Sequence, residues 1–329
     1  LFIGEFARAV EESRAKLLAD RRDGARLVFT AHSIPNSADD ASGPASLGGN
    51  LYSRQVNEAA GLIAEQVGAG LALLDQAWWF PAIPPLTPGG SPIFMLAERS
   101  LPGSMIVDKT GRRFFNESAD YMTAGRAMLG LDDGEGDHLP MWLIFDQTYR
   151  NRYLFGGGVL PRMPIPKIFY QSGVVVKADS IAELAEKIGA PGLADGLERF
   201  NLLATHGRDD DFGRGLTHYD RYYGDPTHTP NPNLAPITKA PFYAVKTVPA
   251  DLGTCGGITA DDRGRALRED GTPIEGLYAV GNAAANAFGT FYPGPGATIG
   301  QGVVFGYLAA LDAVERVRGR QDKEHTEKS

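Results

Sequence analysis

Three glycine-rich clusters fall within about fifty residues near the C-terminal end of the chain, and the last runs directly into an apolar helical pattern. They are Gly253-Thr254-Cys255-Gly256-Gly257, then Leu277-Tyr278-Ala279-Val280-Gly281-Asn282, then Tyr292-Pro293-Gly294-Pro295-Gly296-Ala297-Thr298-Ile299-Gly300. Val303, Val304, Phe305, Leu308, Leu311 and Val314 follow. A glycine-lined loop feeding a helix presents N–H groups without intrahelical acceptors and the positive end of the helix dipole. Such a terminus favours an anionic or electron-rich group: a phosphate, a carboxylate or the N1–C2=O edge of a reduced flavin. Glycine matters there because a side chain would hold the group away from the backbone. For Gly294 alone, a simple turn explains the residue equally well; three clusters, one behind an apolar strand pattern, favour close approach of a ligand. A nucleotide-phosphate loop is the runner-up, but no Gly-x-x-x-x-Gly-Lys-[Ser/Thr] and no N-terminal Gly-x-Gly-x-x-Gly occurs.

Composition narrows the class further. Glycine is 41 of 329 residues, well above the usual ~7%. Hydrophobic residues at 43% and charged residues at 22% exclude disordered and fibrous chains. A net charge of −8 argues against a nucleic-acid partner. The single Cys255 excludes a disulfide framework, and His138, His206, His218 and His228 lack metal-ligand spacing and read as surface residues, so no metal is expected. Mean hydropathy is −0.20, and no consecutive apolar run approaches the ~18 residues of a membrane span, so no transmembrane segment is expected. The start at Leu1 shows no signal-peptide pattern, which implies a cytoplasmic location.

Periodicity predicts helices over Ile3–Asp20 and Tyr52–Val67 with a strand at Arg26–Thr30 between them. After Trp78-Trp79-Phe80 a proline-spaced connection leads to a strand at Met105–Asp108, a turn at Lys109–Arg112 and a second short strand at Arg113–Phe115. Helices are expected at Asp179–Gly189, with Ser180 as N-cap and Glu183 three residues on, and at Asp195–Gly207. Pro241–Pro249 reads as a strand, Gly276–Gly281 as a buried strand, Gly300–Arg316 as a helix and Arg316–Ser329 as a solvated tail.

From about residue 68 to 311 the chain resembles the C-terminal portion of the flavoprotein family of fumarate reductases and 3-ketosteroid Δ1-dehydrogenases. The resemblance rests on the three glycine clusters, on Arg99-Ser100-Leu101-Pro102-Gly103, on Arg113-Phe114-Phe115-Asn116-Glu117-Ser118-Ala119-Asp120-Tyr121, and on Gly207-Arg208-Asp209-Asp210-Asp211-Phe212-Gly213-Arg214-Gly215. It implies FAD as cofactor, with Gly253, Thr254, Gly256 and Gly257 at the isoalloxazine ring. Gly281 and Asn282 would approach the ribityl-diphosphate, and the helix start at Ala297, Thr298 and Ile299 would point at flavin O2.

The implied activity is α,β-dehydrogenation of a steroid-like ketone, with an external electron acceptor. The Tyr292 hydroxyl and Gly296 N–H polarise the carbonyl, Tyr121 as tyrosinate removes the proton, and flavin N5 takes the hydride. A tyrosine near its usual pKa of ~10 needs a second group to act as a base at neutral pH. In the family that helper is a tyrosine of the N-terminal half, which this sequence lacks together with the Gly-x-Gly-x-x-Gly. Gln301-Gly302 also stand where the ketosteroid enzymes more often carry Pro-Ala.

The front differs. Val28-Phe29-Thr30-Ala31-His32-Ser33-Ile34-Pro35, Ser42-Gly43-Pro44 and Tyr52-x-x-Gln55 are similar to the ferrochelatase family, whose histidine at this place, here His32, contacts metal in the porphyrin cleft. The expected architecture is therefore of α/β class: a ferrochelatase-like α/β segment (1–67), a connection with part of the FAD domain (68–95), an α+β substrate domain (96–245), the C-terminal part of an incomplete Rossmann-like FAD-binding domain (246–316) and a flexible tail (317–329). Porphyrin metallation and an inactive remnant are the alternative functions.

Overall fold

Met141–Asp146 (β5) is six consecutive buried residues, the pattern of a central strand covered on both faces. The computed structural model, which describes residues 68–131, 138–294 and 296–326, puts it there. The expectations for 1–67, His32 included, lie outside the described residues.

The chain divides into two compact units. The larger is built on Trp78–Leu252. Its sheet has the order β3 (Ile93–Phe94), β2 (Ala77–Ile83), β7 (Phe242–Thr254), β5, β4 (Ser104–Val107), with β6 (Val175–Ala178) also paired to β7. The β2–β3, β4–β5, β5–β7 and β6–β7 pairs are antiparallel. Side chains alternate across this sheet with period two. Ile106, Leu143, Phe145 and Val245 enter one core with Phe115, Tyr149 and Phe155. Met105, Val107, Trp142, Ile144 and Ala244 enter another with Leu184, Leu197 and Phe200.

The helices covering these faces are α1 (Tyr121–Met128), α2 (Gln147–Arg152), α3 (Lys167–Gln171), α4 (Ile181–Ile188) and α5 (Leu193–His206), with the short α6 (His218–Tyr222) beyond. The start of α4 is as expected: the Ser180 hydroxyl accepts from Glu183 N, and Gly189 at φ +69 closes the helix.

Four expectations change here. Arg113–Phe115 is not a strand, because the Glu117 carboxylate takes the Ile106 N–H and draws Arg113 inward; β4 pairs with β5 instead. The unit begins at Trp78 rather than 96 and ends at Leu252 rather than 245, because β2 and β3 join its sheet and β7 runs to Thr254. His138 is buried, its ring stacked on Phe114 at 4.1 Å, while His206 and His218 are exposed and half-buried His228 bonds to Leu234 O. The connection at 78–95 thus belongs to this unit.

The second unit combines residues 68–77 with the chain from Gly253 onward. It holds the antiparallel pairs β1 (Leu71–Ala72) with β8 (Gly257–Ile258) and β9 (Arg265–Leu267) with β10 (Pro273–Tyr278), a 3₁₀ turn at Gly281–Ala283, and α7 (Ala297–Thr326). The only parallel pairing among the described residues of this unit is the single bridge Ile258–Ala284, so no doubly wound parallel sheet is described. β10 is half-buried rather than buried. The segment 317–326, expected as a flexible tail, continues α7. Ala297–Gly319 is also long and apolar enough to cross a membrane, with a mean hydropathy of 1.4. The expectation of no such segment counted consecutive apolar residues, whereas the helix averages alanine and glycine in with few charges.

Candidate active site

The glycine clusters divide into two physical kinds. Gly256 and Gly257 are pressed against the chain's own backbone: a Cβ at Gly256 would lie 2.6 Å from Leu73 O, and one at Gly257 would lie 2.7 Å from Ala283 O. The Thr254 hydroxyl accepts from Gly256 N at 2.9 Å, Cys255 N donates to Gln76 O, and Asn286 N donates to Cys255 O at 2.8 Å. This loop therefore needs glycine to pass between 73–76 and 283–286, whatever else approaches it. Gly253, at φ +141, begins it.

At the start of α7 the situation reverses. A Cβ at Gly289, Gly294, Gly296 or Gly300 would meet nothing within 4 Å. Ala297 N donates to Gly294 O at 3.1 Å and Gly300 N to Gly296 O at 2.7 Å, so the helix closes part of its own amide end. Gly296 holds φ +90, a conformation other residues avoid. Tyr292 is 5% exposed beside this loop, and Ile299 is 73% exposed. Gly281 opens the 3₁₀ turn at φ +59, with half-buried Asn282 next to it. Gln301 is buried, and its Oε1 accepts from Ala287 N at 3.3 Å, which ties α7 to the preceding loop. Room against backbone amides, with no side chain of the described residues in the way, suits a flat, electron-rich group. On this observation the residues fit a flavin.

Tyr121 belongs to the other unit. It opens α1, where the Asp120 carboxylate caps Met122 N and Thr123 N, and it is 5% exposed. The Phe94 ring meets it edge-on at 5.1 Å, the Tyr219 ring lies at 6.5 Å, and the Tyr223 hydroxyl is 3.2 Å from its own. Arg99 Cζ sits 5.9 Å from the Tyr121 ring centroid.

A buried ionic network fixes this cluster. Two stretches 96 residues apart meet in it: Arg113 Nη2 bonds both Glu117 Oε2, at 2.7 Å, and Asp209 Oδ2, at 2.8 Å. Arg214 Nη1 reaches Glu117 Oε2 at 3.3 Å and Ser104 O at 2.7 Å. Burial alone would raise the Glu117 carboxyl's pKa, but the Arg113 and Arg214 charges hold it below the ordinary range. Asn116 Nδ2 donates to Asp220 Oδ2, and Asn233 Nδ2 to Asp220 O and Ser100 O, binding α6 to the loops before α1.

Sequence reasoning named Tyr121 but gave no role to Arg99, Tyr219 or Tyr223. Arg99 lay inside a quoted motif, and Tyr219 and Tyr223 stand four apart, on one face at helical spacing.

The FAD binding domain family matches residues 23–299, and the chain belongs to it. The fold is that of FAD-binding flavoenzymes with mixed α and β content. The chain is 53% identical over 263 residues to the 3-oxosteroid 1-dehydrogenase of Mycolicibacterium smegmatis, covering 78% of this chain and 46% of that protein. It is 41% identical over 282 residues to the 4-oxocyclohexanecarboxylate 2-dehydrogenase of Sinomonas cyclohexanicum, covering 83% and 48%. The crystal structure of the 3-ketosteroid Δ1-dehydrogenase of Sterolibacterium denitrificans, in complex with 1,4-androstadiene-3,17-dione, is 40% identical with a TM-score of 0.70, over 76% of this chain and 45% of that one. The chain thus spans less than half the length of these relatives. The family match begins inside the segment read as ferrochelatase-like, and the ferrochelatase reading gains no support from it.

Proposed function

We propose that the chain is the substrate-handling and C-terminal cofactor-binding part of an FAD-dependent dehydrogenase that introduces a double bond beside a ring ketone, with a 3-oxosteroid as substrate. The observation that carries the reading is the open amide end of α7, where Gly294, Gly296 and Gly300 leave room and Tyr292 is buried alongside. Gly253, Thr254, Gly281, Asn282, Ala297, Thr298 and Ile299 are the backbone and side-chain groups assigned to the cofactor. Gly256 and Gly257 are assigned there too, with the internal packing role described above.

In the names of both relatives, the oxo position and the dehydrogenation position differ by two, which puts the new double bond between the carbons α and β to the ketone. The Tyr292 hydroxyl and the Gly296 N–H donate to the ketone oxygen and stabilise the negative charge that develops there. Tyr121 takes the proton from the α carbon. When bound, FAD supplies the acceptor for the hydride leaving the β carbon. The two electrons pass on to an external acceptor.

The test is a dye-reduction assay with a 3-oxosteroid in excess FAD, run beside retained flavin absorbance after dialysis. Tyr292→Phe is expected to lower turnover by about 10²–10³-fold, the usual cost of one donor to a developing oxyanion. Equal turnover in both proteins removes the polarising role of Tyr292. A colourless protein after dialysis removes FAD binding by this chain alone.

A further inference from the structure

A phenol that ionises near pH ~10 is a weak proton acceptor at neutrality unless a neighbouring cation or donor stabilises its anion. Among the described residues, groups facing Tyr121 come from several places in the larger unit. Phe94 on β3 offers a ring edge, and Asp120 precedes it on the chain. Tyr219 and Tyr223 come from α6 and its end, and Arg99 from the loop after β3. The Asp120 carboxylate is committed to the N–H groups of Met122 and Thr123 and to the Thr123 hydroxyl.

Arg99 is the cation of this group, and it is wholly buried. Its Nη1 donates to the carbonyls of Glu117 and Ala119, while Nε and Nη2 have no hydrogen-bond partner among the described residues. Arg113 and Arg214 share the Glu117 carboxylate, but Arg99 has no carboxylate at ion-pair distance among the described residues. A buried guanidinium in no ion pair is unfavourable, and the nearby Asp120 charge offsets that only in part, since the Arg99 pKa still lies below its ordinary value. An anion forming on the neighbouring phenol relieves that cost, so the site favours the tyrosinate.

We propose that Arg99 and Tyr223 are positioning residues that ready Tyr121 to accept the substrate's proton, Arg99 through its buried charge and Tyr223 through a hydrogen bond to the phenol oxygen. The proposal rests on the reading of Tyr121 as the proton acceptor. Burial lowers the pKa of Arg99, while Tyr219, Tyr121, Asp120 and Tyr223 raise it through their charges, and the coupling to Tyr121 acts equally in the other direction.

The experiment is a pH titration of the whole chain labelled with ¹³Cζ-tyrosine, followed by NMR, with the Tyr121 resonance identified by its loss in Tyr121→Phe. Its midpoint is expected about one to three units below ~10. Arg99→Gln raises that midpoint by about one unit or more, Arg99→Lys restores most of the shift, and Tyr223→Phe raises it by less. A wild-type midpoint at or above ~10 overturns the proposal, and so does a midpoint unmoved by Arg99→Gln. If Arg99→Gln does not fold, Tyr223→Phe decides, and an unmoved midpoint there overturns it. The titration uses neither flavin nor steroid. A depressed midpoint in a protein that stays colourless with FAD would therefore count against the proposed function and not against this proposal, and an ordinary midpoint in an active protein would do the reverse.

Discussion

In the unit built on Trp78–Leu252, apolar side chains fill both faces of the sheet and the interior arginines Arg113 and Arg214 meet a buried carboxylate. Along α7 of the other unit the arrangement is inverted. Ile299, Val303, Tyr307, Leu311 and Val314 are exposed, while Gln301, Ala309 and Asp312 are buried. Asp312 is held by the Tyr278 hydroxyl at 2.7 Å and by Arg316 at 2.6 Å. The same helical periodicity that marks a core-facing stripe in α5, through Leu193, Leu197 and Phe200, here marks a stripe that stands exposed among the described residues. Periodicity therefore reports that a helix has an apolar side, and not what lies against it.

The largest effect that would break this contrast is expected at Glu117. Glu117→Gln leaves Arg113 and Arg214 buried without their anion and is expected to cost about 3–5 kcal/mol. Urea unfolding followed by tryptophan fluorescence isolates the unit concerned, because Trp78, Trp79 and Trp142 all lie in it. An unchanged midpoint would mean the network is not held by charge.

Acid should act on the same unit more gradually. Burial works against the Asp225 carboxylate, but Thr227 and Tyr153 hydrogen bonds and the Arg152 charge bring its pKa down to about 2. Its folded value lies below the unfolded ~3.9, so its contribution is complete above pH ~4 and is lost as the pH falls toward 2. The tryptophan-monitored stability is expected to decline across that window, and less steeply in Asp225→Asn. Parallel slopes in the two proteins would discard the assignment.

The smallest effect sharpens the other side of the comparison. Val303→Ser on α7 removes a side chain that is 65% exposed and is expected to change stability by no more than about 0.5 kcal/mol. Thermal melts followed by circular dichroism measure this, and a loss well beyond that size would show the stripe to be covered in solution.

Much of the scaffold could be read from residues alone. The caps of α4, the apolar spacing of α5 and the glycine loop opening α7 are local signals, set by neighbours within a few positions. The ring around Tyr121 could not be read this way. Arg99, Tyr121 and Tyr223 meet only because Arg113, Glu117, Asp209 and Arg214 fold two distant stretches together, and no period in one sequence encodes a contact across 96 residues. The burial of His138 is hidden from a local reading for the same reason, since its stacking partner Phe114 lies on a separate segment. The strand expected at Arg113–Phe115 failed because a long-range ion pair outcompeted a local hairpin.

Gly256 and Gly294 share a residue type and lie in the same C-terminal part of the chain, yet one is a spacer between the protein's own strands of backbone and at the other a Cβ would meet nothing within 4 Å. A collection of related chains in which both never vary would not tell these two cases apart. Growth or folding screens run without any cofactor would: intolerance at Gly256 should persist in them, and intolerance at Gly294 should emerge chiefly when ligand capture is what is selected.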